Sequence, residues 1–153
     1  MQYLTLFFLL FAFTLSAQEK TEARKGPDED GVYNVVEEMP MFLSDDCPTE
    51  GSRWDRKPCA DKAMLEFVYE NVTYPAVAQK AEAEGMAVVS FIVEPDGTIS
   101  EPTLQRDPGT GLGEEALRVV QLMQTTTRWE PGLQNGKPVR ARFNLPVKFD
   151  LGK

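Results

Sequence analysis

Residues 138–149 read Pro138-Val139-Arg140-Ala141-Arg142-Phe143-Asn144-Leu145-Pro146-Val147-Lys148-Phe149. The apolar set Val139, Ala141, Phe143, Leu145, Val147 and Phe149 alternates without a break with Pro138, Arg140, Arg142, Asn144, Pro146 and Lys148. A period of two belongs to a strand with one face on a core and the other in water. The stretch therefore predicts a long strand with a wet, basic outer face. Its prolines cannot donate ladder hydrogen bonds, which places the strand at the edge of a sheet. An edge is an open row of backbone donors and acceptors. The basic residues on it are either guards against aggregation or the border of a site that captures an extended peptide.

Working back along the chain, residues 86–94 (MAVVSFIVE) and Thr98 to Arg106 flank the turn Pro95-Asp96-Gly97 and predict a hairpin, with Pro102 assigning its second strand to an edge. Glu114-Glu115 open a helix where negative charge suits the dipole, and Ala116, Val119, Val120 and Met123 form its buried stripe. A short helix follows Tyr74-Pro75, with Val77, Ala78 and Ala81 on one face and Gly85 as its stop. A further helix is expected from Ala60 to Val72, and Val32 to Val36 has strand composition. The order strand, helix, helix, hairpin, helix, strand predicts an α+β fold, a three-stranded antiparallel sheet with helices packed on one face.

Composition narrows the chemistry. The chain has 153 residues, 42% hydrophobic and 26% charged, the profile of one soluble globular domain with a short appendage. A net charge of −8 disfavours non-specific binding to nucleic acid or anionic lipid. There is no histidine, which removes Ser-His-Asp and Cys-His catalysis and His-ligated zinc. The acids are scattered, with no pair placed in a shared cleft, so no catalytic residues and no enzyme activity are expected. Asp28-x-Asp30-Gly31 with Glu37 approaches an EF-hand loop, but Gly26 stands at the first ligand position and Pro40 blocks the exiting helix. The glycines of residues 107–113 have the wrong spacing for a phosphate cradle and no P-loop Lys follows. No metal and no cofactor are expected. Trp129 reads as a core anchor and Trp54 as a loop residue.

Residues 3–17 run uncharged, and as a helix their fifteen positions reach about 22 Å, short of the ~30 Å hydrocarbon core. They read as the core of a signal peptide ending at Ala17, with an uncleaved anchor as the alternative. Residues 18–31 are a polar tether, residues 32–59 carry the N-terminal strand and a cysteine loop, and residues 60–153 form the main domain. Cys47 and Cys59, the only cysteines of an exported chain, are expected to form a structural disulfide that pins the neck of an excursion from Asp45 to Pro58.

An ordered set of short motifs runs through the second half: Tyr74-Pro75-Ala76-x-Ala78, Glu84-Gly85, Val93-x-Pro95-Asp96-Gly97, Glu115-Ala116-Leu117-Arg118-Val119-Val120, Trp129-x-Pro131-Gly132, Asn135-Gly136-Lys137-Pro138-Val139 and Leu145-Pro146-Val147-x-Phe149. In this order and with these gaps the chain resembles the TonB C-terminal domain family over residues 74–151. The lead-in Val35-Val36-Glu37-Glu38-Met39-Pro40-x-Phe42 resembles that of Bacteroidetes-type members. The resemblance implies a periplasmic, transport-associated module. It also implies that the last strand receives the short N-terminal segment, the TonB box, of an outer-membrane transporter by strand addition. The residues so assigned are Val139, Arg140, Ala141, Arg142, Phe143, Asn144, Leu145, Pro146 and Val147. The partner is then a transporter peptide, with peptidoglycan as the alternative for a structural envelope protein. An inner-membrane proton-channel complex enters only if residues 1–17 remain as an anchor. Pairing of Val32 to Val36 with the final edge would occlude the peptide site.

Overall fold

The computed structural model describes residues 26–152, so the signal-peptide reading of residues 1–17 and most of the tether lie outside the described residues. The elements follow in the order β1 (Met41–Phe42), α1 (Arg53–Asn71), α2 (Ala76–Lys80), β2 (Gly85–Val93), β3 (Ile99–Arg106), α3 (Leu112–Thr126), β4 (Trp129–Glu130), β5 (Gly132–Gln134), β6 (Lys137–Val139) and β7 (Ala141–Phe149). The main sheet is antiparallel with strand order β3-β2-β7, as expected, and two short ladders, β1 with β4 and β5 with β6, flank it.

Alternation decides which side chains meet. Ala87, Val89, Phe91 and Val93 of β2 and Leu145, Val147 and Phe149 of β7 are buried on the helix side, in one core with the α3 stripe Ala116, Val119, Val120 and Met123. Met64 and Val68 of α1 complete this layer. Trp129 is the anchor the sequence predicts. Its ring centroid lies 5.0 Å from Phe143, 5.4 Å from Phe91 and 5.5 Å from Phe42, all edge-on, a favourable aromatic geometry. The hairpin turn sits beneath it. Gly97 has φ +82°, and a Cβ there would come within 2.2 Å of the Trp129 carbonyl oxygen, so only glycine fits.

Several boundaries differ from expectation, each for a local reason. Helix α1 begins at Arg53 rather than Ala60, because Ser52 and Asp55 form a capping box: the Asp55 N–H donates to Ser52 Oγ and the Ser52 N–H to Asp55 Oδ2, both at 3.3 Å. Pro58 is accommodated inside the helix. Trp54 is thereby helical rather than in a loop, and it is 81% exposed. Cys47 and Cys59 are joined by the expected disulfide, which ties the turn after β1 to α1 rather than closing a wholly irregular loop. Helix α2 buries Ala78, but Val77 and Ala81 face solvent. Its stop is the left-handed Glu82 (φ 50°), not Gly85. Gly85 opens β2 and is needed because a Cβ would strike the Pro108 ring at 2.7 Å.

The N-terminal strand lies later than Val32–Val36. That stretch bends, with Val32 and Val36 buried and Val35 exposed, and the paired strand is Met41–Phe42. Asp28 causes the bend. Its Oδ1 accepts the N–H groups of Asp30 (3.1 Å) and Val32 (2.8 Å), a side-chain turn that competes with any ladder. Farther on, Arg53 fastens the segment to the domain, and Arg56 ties α1 to β4. Arg56 meets Glu130 at 2.8 Å, and Arg53 meets Glu38 at 3.0 Å and Glu130 at 3.1 Å. The Arg56 guanidinium holds the Glu130 carboxyl below the usual glutamate range.

Candidate functional site: the outer edge of the last strand

Strand β7 pairs with β2 along its whole length, from Gly85 opposite Phe149 to Val93 opposite Ala141, without a bulge. The ladder fixes which backbone groups point away from β2. The Arg142 N–H donates to the Tyr33 carbonyl and the Tyr33 N–H donates to the Arg140 carbonyl, both at 2.9 Å. Arg142 thus directs its backbone outward, and by the alternation of an antiparallel strand so do Asn144, Pro146 and Lys148. The Lys148 N–H meets the Tyr69 hydroxyl at 3.4 Å. Between these two contacts lie the outward N–H of Asn144 and the carbonyls of Arg142, Asn144 and Pro146, for which the described residues supply no partner. Pro146 stands where its missing N–H breaks no bond to β2, which is why the ladder tolerates it.

The outer side chains are wet but not free cations. Arg140 reaches Glu94 at 2.9 Å, Glu101 at 3.0 Å and the Asp30 carbonyl at 2.9 Å. This guanidinium keeps the Glu94 carboxyl below its ordinary value, and the carboxylate raises the arginine's own pKa in return. Arg142 donates to Asn34 Oδ1 at 3.0 Å and approaches Asp28 at 3.7 Å. Lys148 pairs with Asp150 at 2.8 Å, which lowers the pKa of that aspartate and raises that of the lysine. The basic face is thus neutralised by the segment beside it, the hairpin and the C-terminus.

Of the residues expected in the receiving strand, Ala141, Arg142, Phe143, Asn144, Leu145, Pro146 and Val147 lie together in β7. Val139 does not share that ladder. It closes the β5–β6 hairpin opposite Gly132, and Arg140 forms the joint between the two strands. The reason is a change of partner rather than of pleat. Gly132 has no side chain to keep β5 away from Ala141, where a Cβ would meet the Ala141 Cβ at 2.9 Å.

Tyr33 and Asn34 fall within the Val32–Val36 stretch considered above for pairing with the final edge, although only Tyr33 makes a backbone pairing there, whereas Tyr69, which caps the strand's end, lies outside any reading of the sequence. The Asp28-x-Asp30-Gly31 pattern carries a signal for the first two, as a side-chain turn that folds the chain back. For Tyr69 on α1 no local signal exists. Among the described residues no cluster of acids and cysteines is disposed to hold a metal ion, and no helix is long and apolar enough to cross a membrane.

Residues 70–151 match the family model described as Gram-negative bacterial TonB protein C-terminal. Among solved structures, two solution structures of the Helicobacter pylori TonB C-terminal domain are similar. The domain of residues 179–285 in that protein's own numbering is 17% identical with a TM-score of 0.48, covering 69% of this chain and 99% of that one. The shorter form, residues 194–285, is 18% identical with a TM-score of 0.45, covering 60% and 94%. The Pseudomonas aeruginosa TonB C-terminal domain is 26% identical with a TM-score of 0.39, covering 54% and 80%. No curated protein matches.

Proposed function

The chain belongs to the TonB C-terminal family, a non-catalytic family associated with TonB-dependent transport, and on that footing we propose that it is a periplasmic module that takes up an extended peptide of an outer-membrane TonB-dependent transporter by strand addition along β7. The observation that carries this reading is the row of outward groups on β7, the Asn144 N–H and the carbonyls of Arg142, Asn144 and Pro146, that have no partner among the described residues, on a strand whose inner side is locked to β2.

The chemistry follows from the pleat. An incoming strand completes the hydrogen bonds of Asn144 N–H and the neighbouring carbonyls and extends the sheet from three strands to four. Its side chains alternate between the helix side and the outer face, where Arg142, Asn144 and Lys148 stand. Backbone pairing supplies attraction with little sequence preference, whereas the flanking side chains set register, because a slip of one residue turns every side chain to the opposite face.

The test is direct binding of synthetic peptides copied from the N-terminal segments of the host's transporters. Saturable binding by the full chain that Asn144→Pro weakens supports the reading. No binding at high micromolar concentration contradicts it, and co-sedimentation with purified peptidoglycan in its place favours a structural envelope role. Mass spectrometry of the N-terminus in the envelope fraction fixes the setting. A start at Gln18 gives an exported, unanchored module, and a Met1 start in the membrane fraction gives an anchored transducer able to engage an inner-membrane proton-channel complex.

A further inference from the structure

The receiving edge is already partly filled by the chain itself. Tyr33 lies beside Ala141 as a one-residue parallel bridge, and its two backbone bonds take up the Arg140 carbonyl and the Arg142 N–H. Around this bridge the segment is built as a closed turn. Pro27 bridges back to Tyr33, the Asp28 N–H donates to the Val32 carbonyl at 2.8 Å, and the Asp28 side chain closes the inside. Val32 is buried to 1% exposure, and the outer-face arginines grip the turn through Asp30, Asn34 and Asp28. Downstream the chain is held independently. Glu38 and Leu133 exchange backbone bonds at 2.9 and 3.1 Å, the Asn135 N–H donates to the Glu37 carboxylate at 2.8 Å, and Arg53 binds the Met39 carbonyl at 3.0 Å. Between the two anchorages lies the exposed Val35.

We infer that the turn Pro27–Asn34 is an internal competitor for the strand-addition site: a partner strand reaches the first residues of β7 only by lifting Tyr33 away, while the Glu37–Phe42 segment stays in place as the hinge. The inference rests on the strand-addition reading of β7. The geometry favours displacement over simple extension. With Tyr33 seated, the remaining edge offers one N–H, that of Asn144, because Pro146 has none and Lys148 is turned to Tyr69. With Tyr33 removed, the Arg142 N–H and the Arg140 carbonyl join it, so the outward groups open to a guest rise from four, the Asn144 N–H and the carbonyls of Arg142, Asn144 and Pro146, to six. The occupant's ladder contact is a single residue long, and its ion pair with Arg142 is partly exposed and therefore weak, which leaves the burial of Val32 as the main cost of release.

The experiment compares the full chain with Tyr33→Pro, which removes the N–H given to Arg140, and with the double variant Asp28→Ala/Asn34→Ala, which frees the Arg142 side chain. The probe is the synthetic transporter peptides named above. Release of the competitor is expected to tighten peptide binding by about tenfold, the scale of one or two net hydrogen bonds. Hydrogen exchange of the wild-type chain supplies the second readout. Saturating peptide should speed exchange at the Tyr33 amide while slowing it at Asn144. Equal affinities in all three proteins, with Tyr33 still protected and Asn144→Pro still weakening binding, would overturn the competitor and leave the edge reading intact. Absence of binding in every protein would overturn both.

Discussion

The main sheet has two edges, and they are defended differently. On β3 the defence is written into the strand. Its ladder with β2 shifts register between Ser90 and Ile92, Glu101 takes a left-handed φ of 52°, and Pro102 follows with no N–H to offer. A bulge and a proline make that edge irregular in a way no local rearrangement undoes. On β7 the strand is regular for nine residues, and its defence is borrowed: Tyr33 at one end, Tyr69 at the other, and arginines engaged with the N-terminal turn. One edge is made irregular by its own strand, and the other is covered by residues from elsewhere in the chain. That asymmetry agrees with the proposal that β7 receives a partner.

Loss of the aromatic centre should erase the comparison altogether, whereas loss of the disulfide should not. Trp129→Ala, which empties the aromatic centre shared with Phe42, Phe91 and Phe143, should cost about 3–5 kcal/mol in urea denaturation. It should abolish peptide binding through unfolding. Loss of the Cys47–Cys59 bridge by paired serine substitution should cost about 3 kcal/mol in the chain-entropy account while leaving both edges and the peptide affinity unchanged. A change in affinity there would mean that the cysteine turn touches the site.

Acidification should act on the joint between the edges. Glu94, whose carboxyl is held below its ordinary value by Arg140, contributes stability that is present above the unfolded value of 4.5 and is lost as pH falls through the lower folded value. Arg140→Ala should therefore lower the urea midpoint at neutral pH and have little effect at low pH. A pH-independent deficit would assign Arg140 a packing role instead. The smallest effects concern the edges themselves. Pro102→Thr and Pro146→Val should each change stability by less than about 1 kcal/mol. They should part company in binding: Pro146→Val adds an outward donor to β7 and should strengthen peptide capture, whereas Pro102→Thr should leave it alone.

Much of this was legible in the sequence, because side-chain alternation is written residue by residue. The pattern from Ala141 to Phe149, the α3 stripe, the Pro95-Asp96-Gly97 turn and the Trp129 anchor all follow from local spacing. What alternation does not encode is the partner. Val139 continues the period of β7 yet pairs with Gly132, since the switch at Arg140 depends on how closely β5 can approach. Val32 to Val36 have strand composition, but Asp28 draws the chain into a turn and only Tyr33 reaches the edge. The early start of α1 was available in the Ser52-x-x-Asp55 pattern, masked by Pro58 and Cys59 just behind it. The cover supplied by Tyr69 depends on the packing of α1 against the end of β7, which no local spacing records.

The central claim is that β7, and not β3, is the edge that takes a partner. It is tested most directly by following the backbone amides of the full chain by NMR as a transporter-derived peptide is added. The account predicts that the largest shifts fall on Arg142, Asn144 and Lys148, with Tyr33 moving in step and Ile99 to Arg106 nearly still. Shifts concentrated on β3, or saturable binding that leaves the β7 amides unmoved, would contradict it.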